Sequence, residues 1–234
     1  MVRKILFADG RKFFWNCGDF HSNYGFIRER DIRNGSVKSN KEIEFLITDG
    51  KFIDKINKIK RGPAVTHLKD IGSIIVYTGI DKKSVCVDAG SGCGLLSAFL
   101  GKICKKVYSY EKRMDFYDIA KKNLSFLDVK NVILKNDDII NLKEKNIDLI
   151  TLDLSNPWEY LDVCHKSLKS GGFLVCYLPN ITQISELVSN IKKNYVVERI
   201  SEFLEREWIF DDKKIRPENQ MLGHTAFLVF LRKI

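Results

Sequence analysis

Up to residue 61 the apolar positions fall in short runs broken by turn signals: 5–8 before Asp9-Gly10, 12–16 before Gly18-Asp19, 24–27, and 42–48 before Asp49-Gly50. Runs this short, with Gly and Asp between them, predict a small antiparallel sheet or barrel. From Lys69 the period changes. Helical patterns at 69–77, 94–103, 114–126, 158–168 and 182–193 alternate with apolar runs at 84–88, 106–110, 132–135, 147–153 and 172–178. Such alternation predicts an α/β domain, a doubly wound parallel sheet with helices on both faces. Two further β-type runs, 196–204 and 225–231, joined through Asp211-Asp212, predict an antiparallel hairpin on one edge. The expected organisation is a small all-β domain at 1–55, a Lys-rich linker at 56–68 carrying Arg61-Gly62-Pro63, and an α/β domain at 69–234.

Composition narrows the class. With 234 residues, 44% of them hydrophobic and 29% charged, the chain can bury a core without disulfides or metal. No run approaches the roughly 18 apolar residues of a membrane span, and residues 1–9 meet charge too soon for a signal peptide, so a cytoplasmic protein without membrane attachment is expected. The six cysteines form no C-x-x-C pair and the four histidines are scattered, which leaves no metal-ligand spacing. The net charge of +9 is uneven: residues 1–61 hold fourteen Lys/Arg against eight Asp/Glu. That quarter is either a polyanion-binding surface or a solvated basic one.

Chemistry concentrates at strand ends. Val85-Cys86-Val87-Asp88-Ala89-Gly90-Ser91-Gly92-Cys93-Gly94 closes the first strand of the α/β region with glycines that let a ligand approach the backbone before a helix N-terminus. A dinucleotide loop would place Gly or Ala at 95, where Leu95 stands. Asp88 would oppose a diphosphate but suits the cationic amino-acid end of S-adenosylmethionine, so the methyl donor is favoured over a nicotinamide cofactor. Glu111 ends the second strand, where a carboxylate can accept both ribose hydroxyls. Asp138, beside Asp137, ends the third and is placed to reach the adenine amine. Asp153 in Leu152-Asp153-Leu154-Ser155-Asn156-Pro157-Trp158 ends the fourth and enters the site beside the methyl group.

The ordered set of Arg61-Gly62-Pro63, Lys69-Asp70, the 88–94 loop, Ser109-Tyr110-Glu111, Asp153 with Pro157-Trp158, Tyr177-Leu178-Pro179-Asn180-Ile181-Thr182-Gln183, Arg206-Glu207-Trp208, Arg216-Pro217 and Gly223-His224-Thr225-Ala226-Phe227-Leu228 resembles the tRNA (adenine-58-N1)-methyltransferases of archaea and bacteria. The resemblance covers essentially the whole chain. It implies the class I methyltransferase (Rossmann-like) fold, S-adenosylmethionine as cofactor, a homotetramer, and N1 of a T-loop adenine of tRNA as acceptor, at position 58 and, in archaeal relatives, 57. It also implies that Gly90, Ser91, Gly92, Cys93, Gly94, Leu95, Glu111, Asp138 and Asp153 hold the cofactor. Asp153 would be catalytic, with Tyr177 lining the base pocket. Where many relatives have Tyr-Pro-Lys-Asp this chain has His67-Leu68-Lys69-Asp70, so the aromatic contact to the base falls on His67. The alternatives are a methyltransferase for another RNA adenine, and a non-catalytic RNA-binding partner subunit.

Overall fold

A computed structural model describes residues 2–62, 65–211 and 214–234. It divides into two units, residues 1–60 and 61–234, and the division falls inside the segment read as a linker. Pro63 of that segment and Asp212 of the expected edge turn lie outside the described residues.

In the first unit, side-chain alternation across the strands builds the core. Strands β1 (Lys4–Ala8), β2 (Arg11–Trp15), β3 (Phe20–Ser22), β4 (Gly25–Ile27), β5 (Gly35–Lys38) and β6 (Glu44–Asp49) are followed by a short helix, α1 (Phe52–Ile56). The four-stranded sheet has the antiparallel order β2-β1-β6-β5, and β3 and β4 form a separate hairpin. Along β6, Phe45 and Ile47 are buried while Glu44 and Leu46 face water. Phe45 meets Phe20 edge-on at 5.6 Å between centroids, and Leu6, Trp15 and Ile27 complete the cluster. Strands β3 and β5 and helix α1 did not emerge from the sequence, because three to five residues are too few to display a period.

The second unit is a seven-stranded sheet. Its elements are α2 (Leu68–Thr78), β7 (Val85–Ala89), α3 (Leu95–Ile103), β8 (Lys106–Tyr110), α4 (Met114–Phe126), β9 (Val132–Lys135), β10 (Ile147–Leu152), α5 (Leu161–Ser167), β11 (Leu168–Leu178), α6 (Ile181–Asn190), β12 (Tyr195–Glu202), β13 (Trp208–Asp211), β14 (Lys214–Pro217) and β15 (Phe227–Lys233). The strand order is β12-β15-β11-β10-β7-β8-β9. The five strands from β11 to β9 are parallel, and β15 runs antiparallel to both its neighbours. From β7 the chain winds outward through β8 and β9, then crosses to the other side of β7 for β10 and β11. In such sheets that reversal opens a crevice beyond the carboxyl ends of the two central strands, here β7 and β10.

Two expectations change in detail. The helix read at 158–168 opens as a three-ten turn, Pro157–Tyr160, with proline at a first-turn position that needs no N–H, before α5 takes over at Leu161. The edge pair is β12 with β15, but the chain between them carries its own hairpin, β13–β14, so Asp211 ends β13 rather than joining the two edge strands.

The close approach of β7 to β10 at their carboxyl ends rests on one glycine. Gly90 turns at φ +80°, and a Cβ there would stand 2.1 Å from the carbonyl oxygen of Asp153. Gly90→Ala is expected to cost about 2–5 kcal/mol, from left-handed strain and overpacking together. A urea titration reads this directly, and an unchanged midpoint would contradict the packing described.

Candidate active site

Three carboxylates gather at the ends of the adjacent strands β7, β8 and β10, and the structure satisfies them unequally. Asp88, 1% exposed, accepts from Ser97 Oγ on α3 at 2.5 Å and from Thr151 Oγ1 on β10 at 2.9 Å. Burial pushes its ionisation up against the pull of those hydroxyls. Asp88 thus braces the floor beneath the glycine loop. It does not border the crevice, where the sequence had suggested it would meet a ligand's ammonium, because it lies wholly beneath the surface with its oxygens turned to Ser97 and Thr151.

Glu111 is also buried, but its hydrogen-bond donors are backbone, with the Arg113 guanidinium 4.0 Å away. Gly92 N–H donates to Oε2 at 2.8 Å and Arg113 N–H to Oε1 at 2.9 Å. Each oxygen keeps a lone pair, so the carboxylate can hold the loop and still accept two hydroxyls.

Asp153 differs from both. Its N–H donates to the Ala89 carbonyl at 2.9 Å, which fixes its backbone. Its carboxyl makes no hydrogen bond to any described residue. Burial pushes the group up to about 7, and the charges of Asp88 and Glu111 act in the same direction. A half-buried carboxyl with no donor, close to two other acids, is a place that favours a cation.

The loop shapes the space beside them. Gly90, Gly92 and Gly94 all have positive φ, of 80°, 53° and 80°. The residues between and just after them turn inward: Ser91 Oγ bonds Ser109 Oγ at 2.6 Å and the Tyr110 carbonyl at 3.0 Å, Cys93 is 2% exposed and Leu95 4%. Of the loop residues expected to hold a cofactor, Ser91, Cys93 and Leu95 therefore offer only backbone. Gly90, Gly92, Glu111 and Asp153 border one cavity with Phe116 and Leu154. Arg113 lies over the Phe116 ring at 3.7 Å, and a Cβ on Gly62 would strike the same ring at 2.3 Å.

Asp138 borders an adjoining cavity with Glu111, Gly90, Leu154 and Tyr160. It caps the turn Ile139–Asn141, accepting from Ile140 N–H at 3.0 Å and from Lys112 Nζ at 3.0 Å. Burial works against ionisation there, but those two donors hold its carboxyl below the usual range. Asp137 borders the same cavity, yet its Oδ1 is taken by Asp138 N–H and by Asn141 Nδ2.

The two residues expected at the target base separate. Tyr177 follows Cys176 on β11, and Cys176 is in register with Leu152 of β10, so Tyr177 and Asp153 leave adjacent strands at the same level. The Asp153 carboxylate is close enough to push the Tyr177 phenol up, after burial and the charge of Asp70. His67 stands at the N-cap of α2 with its side chain exposed, and borders a different cavity with Lys69, Glu205, Glu207 and Glu218. Sequence reasoning missed Ser97, Thr151 and Phe116. A hydroxyl inside the apolar run Leu149-Ile150-Thr151-Leu152 was the available signal, since a buried polar group needs a partner.

Such a crevice suits a ligand with hydroxyls at one end and positive charge at the other. Comparison with known proteins agrees. A family model described as the tRNA methyltransferase complex GCD14 subunit matches residues 60–216. The tRNA (adenine(57)-N(1)/adenine(58)-N(1))-methyltransferase TrmI of Methanocaldococcus jannaschii is 31% identical over 250 residues, covering 93% of this chain and 89% of that protein. The tRNA (adenine(58)-N(1))-methyltransferase TrmI of Thermus thermophilus is 32% identical over 227 residues, covering 92% and 89%. Among solved structures, the tRNA (m1A58) methyltransferase TrmI of Aquifex aeolicus superposes with a TM-score of 0.85 at 26% identity, over 99% of this chain and 96% of that one. An S-adenosylmethionine-dependent O-methyltransferase of Thermotoga maritima gives 0.87 at 26% identity, over 100% and 93%.

S-adenosylmethionine fits the residues present. Gly90 and Gly92 border the cavity with bare backbone, Glu111 has lone pairs to spare for a ribose, and Asp153 lacks a positive partner. With agreement running through both the fold and nine-tenths of the sequence, the chain belongs to the TrmI family of tRNA (adenine-N1)-methyltransferases, whose family model is described by the GCD14 subunit.

Proposed function

We propose that this chain methylates N1 of adenine 58 in the T-loop of tRNA, and of adenine 57 where one is present, with S-adenosylmethionine as donor. The observation that carries the reading is the unpartnered Asp153 carboxyl in a crevice that raises it to about 7. When bound, the cofactor supplies an electrophilic methyl group on a sulfonium. Adenine N1 holds an in-plane lone pair, so it needs no base to remove a proton. As the N1–methyl bond forms the methyl–sulfur bond would break, the donor would leave as a neutral thioether, and the positive charge would pass to the ring. Asp153 accepts from the exocyclic amine, which orients the base, and its negative charge steadies the developing cation. Glu111 would hold the ribose hydroxyls of the cofactor, Asp138 its adenine amine, and the 90–95 backbone its amino-acid end. Tyr177 lines the base pocket, with His67 at the pocket's outer approach. Because N1 lies on the Watson–Crick edge, the base must leave its stack to enter.

Residues 1–60, basic in sum, are assigned to tRNA and subunit contacts in a cytoplasmic homotetramer. Incubating unmodified tRNA with the protein and labelled cofactor should give 1-methyladenosine at 58, with tRNA affinity falling steeply as salt rises. Label at a base outside the T-loop, or affinity indifferent to salt, would contradict the assignment.

Asp153 sets the pH behaviour. Its carboxyl is neutral below about 7 and charged above, and only the charged form serves the reaction. The second-order rate constant should therefore rise through pH 7. Asp153→Asn should lose about two to three orders of magnitude in single-turnover rate and flatten that rise. Stability runs the other way. A carboxyl raised above its unfolded value of 3.8 loses stabilisation as pH climbs from about 4 to 7, so the free Asn variant should melt higher than wild type at pH 8 and equally at pH 3. Wild-type rates in the Asn variant would make Asp153 a strand-end residue with no part in the chemistry.

Glu111→Ala should weaken cofactor binding by about tenfold to a hundredfold, the value of a charge-assisted contact. Calorimetry showing unchanged affinity would remove Glu111 from the cofactor site.

A further inference from the structure

Behind Tyr177 lies a buried polar cluster that the reaction just described does not use. Asp70, in the first turn of α2, is fully buried. Lys69 Nζ donates to its Oδ1 at 2.7 Å, while Thr225 Oγ1 and the Tyr177 hydroxyl donate to its Oδ2 at 2.8 and 3.2 Å. Lys69 Nζ also donates to Thr225 Oγ1 at 2.6 Å. The side chains come from α2, from the end of β11 and from the approach to β15. Lys69 balances the Asp70 charge, as a buried carboxylate requires.

The hydrogen directions in this cluster are determined by chemistry. An ammonium and a hydroxyl that receives from it leave Asp70 as acceptor throughout, so the phenolic hydrogen of Tyr177 points at Asp70. Burial and the Asp70 carboxylate together keep that phenol protonated. The Thr225 hydroxyl also lies within reach of the phenol oxygen but gives its hydrogen to Asp70, so that oxygen can offer only lone pairs to whatever lies beside Asp153. For adenine this matters. The exocyclic amine is a donor and is matched by an acceptor, whereas N1 must keep its lone pair free to attack, and a phenol donating to N1 would occupy it.

We propose that Asp70 is a positioning residue that turns the Tyr177 hydrogen away from the base pocket, making Tyr177 an acceptor there and leaving adenine N1 unbonded. The inference rests on the reading that Tyr177 lines that pocket. In an Asp70→Asn variant the amide can donate to the phenol oxygen, and the phenolic hydrogen is released toward the pocket.

Single-turnover methylation of tRNA at saturating cofactor, across a double-mutant cycle, tests this. Asp70→Asn should slow the reaction by about tenfold to a hundredfold, a cost in the range of misplaced reacting groups, with cofactor affinity unchanged. Tyr177→Phe, which has no hydrogen to misplace, should be slowed less. Adding Tyr177→Phe to Asp70→Asn should restore the rate to that of Tyr177→Phe alone. A double variant as slow as Asp70→Asn would overturn the proposal and leave Asp70 a structural residue. Wild-type rates in both single variants would instead show that Tyr177 does not line the pocket, and the proposal would fall with that reading. Isotope-edited infrared spectra of the wild-type protein, with tyrosine labelled and the Tyr177 band assigned by its loss in Tyr177→Phe, give a check independent of whether Asp70→Asn folds. The C–O stretch should lie where a donor-only phenol absorbs, and a band at the acceptor-only position would overturn the proposal.

Discussion

Three negative charges cannot share one low-dielectric crevice unless each finds compensation, and the second unit is organised around how Asp88, Glu111 and Asp153 meet that constraint. Asp88 is met from below by two hydroxyls, one on α3 and one on β10, so it ties the helix and strand that flank β7. Glu111 is met by backbone N–H groups of the glycine loop and of the turn after β8, which sets the height of the loop above the sheet. Asp153 receives nothing from the described residues, and the other two acids add to its difficulty. Its compensation must come from outside the chain. The positive charge of a sulfonium donor, passing to the adenine ring as the methyl moves, would supply it throughout one catalytic cycle.

The glycines serve this arrangement through space rather than through flexibility alone. Gly90 lets β7 and β10 close at their carboxyl ends until its α-carbon faces the Asp153 carbonyl, and that contact places the third acid beside the first two. Ser91 and Cys93, between the glycines, fill the layer beneath and leave the upper side of the loop as bare backbone. Tyr177 enters from the next strand in register with Asp153, with its hydroxyl held at the rear by Asp70. Acids that demand a cation and an aromatic ring whose polar end is already engaged thus stand side by side.

Much of this could be read from the sequence because it is written in local periods. The alternation of apolar runs and helical patterns predicted every strand of the large sheet, and the acids at the strand ends announced the crevice. What could not be read were relations across the sheet. Asp88 looks like a ligand-facing acid until Ser97 and Thr151, nine and sixty-three residues away, are seen to occupy it. Ser91, Cys93 and Leu95 sit in a ligand-binding stretch, but the direction of their side chains depends on the turn the glycines permit. The family resemblance put His67 at the target base, but the start of α2 leaves its side chain exposed at a neighbouring cavity. The β13–β14 hairpin escaped notice because its four-residue strands, with Trp208, Phe210 and Ile215 exposed, lack the buried-exposed alternation of a core strand.

In the free protein Asp153 waits, uncompensated, for a cation. Carbon-13 spectra of protein labelled at the aspartate carboxyl carbon, with the Asp153 signal assigned by its loss in Asp153→Asn, follow that one group as pH is varied. The midpoint should be about 7 in the free protein and fall by about one unit or more once S-adenosylmethionine is added. A midpoint near the ordinary 3.8 in the free protein, or one that the cofactor leaves unmoved, would contradict it.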